Sequence, residues 1–188
     1  GGGPYVIPDH STGYTQISDY SAEAIKMYDA PAINTVGKVA FIDDYKIIYI
    51  RIPGDSTYRY HLAEFSTSVF TSDTEVANET FSCTNMFKIP GEYVMLCCTG
   101  TLIKKFDLTT YQFTDIYDFS SGTVYWVVTN SDATIAYILY KNASNVYFIK
   151  KFDMSDPAGT ISDQSHNISF STNSFGMDIT ADDNYLVV

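Results

Sequence analysis

The sequence is short of tryptophan, with one Trp against 16 Tyr and 12 Phe in 188 residues, and it holds only three cysteines. It also lacks any apolar run of the ~18 residues that a membrane-crossing helix needs. The densest stretches, KIIYIRI and YVMLCC, are strand-sized, and no membrane insertion is expected. Positive charge is scarce as well. Eleven Lys and Arg face 22 Asp and Glu, giving a net charge of −11, so a polyanionic backbone would be repelled over most of the surface. Nucleic acid is therefore not an expected partner. Among chemical signatures, the chain has no nucleophile elbow, no phosphate-cradling glycine loop and no paired-histidine zinc motif. No cofactor is expected.

What is present points to a packed β protein. Hydrophobic residues make up 45% and charged residues 18%, and the wealth of Tyr and Phe suits half-buried strands better than disorder. The length suits one core and one domain. The chain opens on GGGPYV and closes on DDNYLVV in the middle of a strand-like pattern, so both ends read as cut.

A repeat organises this material. Tyr60-His61-Leu62, Phe106-Asp107-Leu108 and Phe152-Asp153-Met154 recur at a spacing of 46 residues, with Arg59, Lys105 and Lys151 just before them. Each phrase follows an apolar run, a turn and a second apolar run: VAFIDDYKIIYIRI, MFKIPGEYVMLCC and VYWVVTNSDATIAYILY, with FGMDITADDNYLVV as a fourth. Asp43-Asp44, Pro90-Gly91, Asn130-Ser131-Asp132 and Asp182-Asp183-Asn184 supply the turn chemistry. Adding a fourth strand such as YQFTDIYDF gives a four-stranded antiparallel meander of blade size.

In these features the chain resembles the β-propeller repeats, with KKFDL similar to the third strand of quinoprotein-like and related blades. The resemblance implies an all-β, propeller-like array of four-stranded antiparallel blades over 36–82, 83–123 and 124–174. A fourth blade would be built from both termini, 175–188 plus 1–35, with YTQIS (14–18) and AIKMYDA (24–30) as its outer strands. Two other arrangements stay open: a piece of a larger propeller, and N-terminal strands that pair with a neighbouring copy to build a filament.

The candidate site residues are few. A two-residue loop at Pro90-Gly91 would set Cys83 opposite Cys98, placing a disulfide within reach and turning Cys97 to the other face. Three sequons, at Asn78, Asn142 and Asn167, fall in loops or strand ends, where a glycan is tolerated. With the disulfide they favour an extracellular or secreted setting. The turn pairs Asp43, Asp44, Asp182 and Asp183 are weak calcium candidates, read first as solvated turn residues. His10, His61 and His166 are scattered, and His61 stands where the other blades have Asp. Lys104, Lys105, Lys150 and Lys151 form a repeated basic step, read as a solvated face or as partners for the abundant Asp rather than as an anion site. Tyr14, Tyr58, Tyr60, Tyr111, Tyr125 and Tyr137 offer aromatic platforms for a sugar or a protein partner, although packing between blades explains most of them.

Repetition without a catalytic constellation leads to the expectation of a non-enzymatic extracellular interaction or structural module. It would be glycosylated, with a protein partner or itself as the ligand. The alternative is an enzyme acting on glycans or other small substrates in the central funnel, with Asp43, Asp178 and Asp182 as the first candidates.

Overall fold

The computed structural model describes residues 6–9, 13–16, 36–66, 69–168 and 176–188. Among the described residues there are sixteen β-strands and one short helical turn. The first two strands, β1 (Val6–Asp9) and β2 (Gly13–Gln16), pair with each other as a hairpin. Three four-stranded sheets follow. The first holds β3 (Val36–Asp43), β4 (Lys46–Arg51), β5 (Tyr58–Ser66) and β6 (Val69–Glu79) in chain order. The second holds β7 (Asn85–Lys88), β8 (Val94–Thr99), β9 (Leu102–Asp107) and β10 (Gln112–Asp118). The third holds β11 (Thr123–Thr129), β12 (Ile135–Lys141), β13 (Tyr147–Asp153) and β14 (Ser162–Ile168), with the helical turn α1 (Pro157–Thr160) between its last two strands. A two-stranded sheet, β15 (Asp178–Ile179) and β16 (Leu186–Val187), ends the chain.

Every pairing is antiparallel and every large sheet is a simple meander. Strand periodicity explains how the sheets stack. In β8, VMLCCT is buried throughout because both of its faces are covered. Met95 and Cys97 join Ile48, Ile50, Tyr60 and Phe106 in the layer between the first two sheets. Val94, Leu96 and Cys98 instead meet Val124, Ile138, Tyr140 and Phe152 in the layer between the second and third. A third layer sets Val128, Leu139 and Ile149 against Met177 of the last hairpin. Tyr60, Phe106 and Phe152, the residues that marked the repeat, are each essentially fully buried. Burying one such aromatic contributes about 2–3 kcal/mol.

The sheets converge on their first strands: β3 lies against β7, β7 against β11, and β11 against β15. Face-to-face sheets whose innermost strands are neighbours form an all-β, propeller-like array. β1 and β2 pair with one another, and among the described residues no further strand joins β15 and β16. The stretch 24–30, expected as an outer strand, lies outside the described residues, as do most of 1–35.

One hairpin departs from the sequence reading. The turn after β7 closes with the Ile89 N–H donating to the Val94 carbonyl at 3.0 Å, so the loop holds four residues, Pro90 to Tyr93. This moves the register by two. Asn85 lies opposite Cys98, and Met86 opposite Cys97. Cys83 precedes the strand and sits in the layer facing the first sheet, whereas Cys98 sits in the layer facing the third. The expected Cys83–Cys98 disulfide is thus corrected: all three cysteines are buried free thiols.

Candidate functional site

Because each meander begins at the centre of the fan, its first turn opens at one common end. Cross-sheet contacts place these turns side by side. The Lys46 ammonium, just after the first turn, is raised in pKa by its hydrogen bond to Glu64 and by the hydroxyl of Tyr93 in the second turn. In the third turn, the Ser131 N–H donates to Asp183 of the fourth at 2.9 Å, and the Ser131 hydroxyl donates to the same carboxylate at 2.6 Å. Deeper in, the side-chain carbonyl of Asn85 on β7 accepts from the Val127 N–H on β11 at 3.1 Å, fixing adjacent inner strands.

The candidate acidic residues fall in this region. Asp43 ends β3 and Asp178 begins β15, both exposed at the inner strands. Asp43 accepts the Tyr45 N–H at 2.8 Å, and Asp178 accepts the Ile179 N–H at 2.8 Å. Asp182 is bound more tightly to its own turn. It accepts from the Thr180 hydroxyl at 2.6 Å and from the Asn184 amide and side chain, which hold its carboxyl down to about 2. A carboxylate so stabilised shapes a turn and stays charged, and it is poorly suited to donating a proton.

The weak calcium candidates Asp43, Asp44, Asp182 and Asp183 do not gather on one point. Asp43, Asp182 and Asp183 are turned to protein N–H and O–H groups, and among the described residues no three His, Cys, Asp or Glu side chains converge on a metal-sized point.

His61 belongs to a polar row on the face of the first sheet turned away from the second. Its Nδ1 lies 3.0 Å from Asp73 on β6, its ring stacks on Tyr49 at 5.3 Å, and the Tyr49 hydroxyl donates to the same carboxylate at 2.9 Å. Nε2 is buried, 3.8 Å from Glu75. The register puts Tyr49, His61 and Glu75 directly opposite one another on three strands. Sequence reading gave His61 no partners, because cross-strand neighbours depend on a register that the β5–β6 bulges shift. His10 lies outside the described residues, and His166 is placed on β14.

The repeated lysines find acidic partners across their hairpins. Lys104 pairs with Asp115 and Lys150 with Asp163, in equivalent places of the second and third sheets. Lys105 reaches Glu92 at 3.6 Å. Of the aromatic platforms, Tyr60 is core and Tyr58 and Tyr111 pack against that same layer. Tyr125 carries Lys141 over its ring at 5.5 Å, and Tyr137 carries Lys151 at 5.9 Å. These ring faces are covered from within the chain. Tyr14 lies on β2.

Of the sequons, Asn78 is exposed on the outermost strand of the first sheet. Asn142 opens the turn after β12, its side-chain oxygen accepting the N–H groups of Ser144 and Val146. Asn167 lies on β14, the outermost strand of the third sheet.

No protein family model matches the chain. No curated protein matches it. Among solved structures it is similar to one described as the crystal structure of puromycin hydrolase, with a TM-score of 0.55 and 9% identity over 72% of this chain and 22% of that one. It is also similar to the crystal structure of the tricorn protease, with a TM-score of 0.55 and 13% identity over 93% of this chain and 16% of the other. The chain spans less than a quarter of either protein. At such identities the likeness is one of fold, and it supports propeller-like sheets in general. Both proteins are named as hydrolytic enzymes, and this corrects the expectation of a non-enzymatic structural module.

Proposed function

We propose that this chain is a propeller-like hydrolytic enzyme, its inner strands lining a central funnel in which a glycan or other small substrate meets the reacting groups. The observation that carries this reading is the convergence of β3, β7, β11 and β15, which builds a wall from four successive sheets. Its fold likeness to puromycin hydrolase and the tricorn protease supports it. In a fan of sheets, loops and first-strand residues meet only at the centre, so a site assembled there draws on several sheets at once.

Asp43 and Asp178 are the groups assigned to substrate contact. Both lie at inner strands and are exposed, whereas Asp182 serves its turn. The test is turnover of a panel of glycan and peptide-amide substrates by the purified protein, beside the single variants Asp43→Asn and Asp178→Asn. A rise in KM of about tenfold in either variant supports the assignment, the size of one lost charge-assisted hydrogen bond. Unchanged kinetics in both variants would remove these residues from the site. Absence of turnover over the whole panel would count against the hydrolytic reading itself.

The chain is further proposed to act in an extracellular or luminal compartment with N-linked glycans at Asn78, Asn142 and Asn167. Asn78 favours this by its exposure on an outermost strand. Intact mass before and after enzymatic deglycosylation reads the number of occupied sites, and an unchanged mass would refute it.

A further inference from the structure

Three large aromatic side chains stand exposed at the common end of the inner turns. Tyr45 lies within the first turn, Tyr93 closes the second and Tyr185 directly follows the fourth, with exposures of 52%, 42% and 69%. Aromatic rings of this size are normally drawn into a core, and one set of adjoining turns carries three of them here. The contact of Tyr93 with Lys46 joins the first and second turns, the approach of β7 to β11 joins the second and third, and the Ser131–Asp183 bonds join the third and fourth. The rings therefore belong to one continuous rim.

The charge on that rim is mostly negative. Asp44 lies beside Tyr45, Glu92 beside Tyr93, and Asp132, Asp182 and Asp183 occupy the third and fourth turns. Hydrogen bonds from Thr134 and from Thr180 keep Asp132 and Asp182 ionised. The nearby cations are already engaged: Lys46 with Glu64 and Tyr93, Lys88 with the Ile89 and Glu92 carbonyls, and Lys105 with the Glu92 carboxylate at 3.6 Å. Tyrosine faces attract cations through the ring quadrupole, and neighbouring carboxylates add charge complementarity. An anionic ligand meets repulsion from the turn acids and from the chain's net charge of −11.

We propose that the rim carrying Tyr45, Tyr93 and Tyr185 is a docking surface for a lysine- or arginine-rich peptide segment. The cationic side chains lie over the tyrosine rings while Asp44 pairs with one left between, and the turn-bound Asp132 and Asp182 add to the negative field. This binding is independent of the hydrolytic reading. Peptide capture is read without turnover, so either one can fail alone.

The experiment is fluorescence anisotropy with labelled octalysine and octaglutamate peptides on the purified chain. Octalysine binds saturably and octaglutamate does not. The combined variant Tyr45→Ser, Tyr93→Ser, Tyr185→Ser weakens octalysine binding by about tenfold or more, while the corresponding Phe variant retains it, because rings and not hydroxyls make the contact. If the triple Ser variant loses its fold, Tyr185→Ser alone, at the most exposed ring, gives a smaller loss in the same direction. Affinity unchanged in a folded Ser variant would show general attraction to an acidic protein and overturn the proposal. So would equal binding of both peptides, no saturable octalysine binding, or loss of binding in the Phe variant.

Discussion

Cys97 and Cys98 show how one side chain's surroundings set its chemistry. Burial pushes both thiols well up from the ordinary cysteine value, so almost no thiolate exists at neutral pH. Cys83 is equally hidden, with the Tyr60 hydroxyl 3.2 Å from its sulfur. In the folded chain, a thiol reagent is expected to label none of the three within the time that labels a free peptide. In denaturant without reductant, mass analysis should show all three alkylated. A single adduct would mean that a disulfide exists after all. Asp182 makes a pH-dependent prediction. Its carboxyl is lowered by the Thr180 hydroxyl and Asn184, so its contribution is complete above the unfolded carboxylate value and is lost as pH falls through about 2. Thermal melts between neutral pH and pH 2 should therefore steepen at the acid end in the wild type and less so in Asp182→Asn. Parallel curves would show that the turn bonds carry no such linkage.

The hairpins are where sequence reading succeeded and failed in the same few residues. Tyr60, Phe106 and Phe152 were legible because one inward-facing aromatic per third strand must recur if equal sheets stack face to face, and the sequence repeats it without gaps. The Cys83 pairing was not legible. Pro90-Gly91 suits the centre of a two-residue loop as well as the first half of a four-residue turn, and local preference cannot count the residues between two paired strands. The alternation of Cys97 and Cys98 to opposite faces survives the error, since a shift of two preserves a period of two. The rim tyrosines were missed for a related reason. Residues adjoining turns share composition with core strands, and exposure follows from which end of a hairpin they occupy. Phe106 tests the stacking directly. It is wholly buried, stacked on Phe113 at 4.3 Å and tilted against Tyr60 at 6.0 Å. Phe106→Ala should cost about 3–5 kcal/mol by denaturant titration, and a loss below ~1 kcal/mol would contradict a packed layer there. At the junction into β11, Gly122 has φ of +81°, and an added Cβ would sit 2.2 Å from the Lys141 carbonyl. Gly122→Ala is accordingly expected to lower stability through both strain and clash, by about 1–3 kcal/mol.

Across the four successive sheets, architecture was readable and activity was not. Repetition fixes which faces are buried, and thereby a fan of sheets, while the chemistry of a funnel depends on residues from separate sheets that no local motif records. Asp43 and Asp178 are far apart in the chain and lie on the first and last of the inner strands β3, β7, β11 and β15. For that reason the lack of a motif misled the first functional reading toward a structural module. The most direct measurement is the rate of product release from the glycan and peptide-amide panel by purified protein, with Asp178→Asn run alongside. The funnel reading predicts measurable hydrolysis with KM raised about tenfold in the variant and stability unchanged. Hydrolysis unaltered by the change would place the chemistry away from the inner strands, and no hydrolysis of any substrate would contradict an enzymatic role.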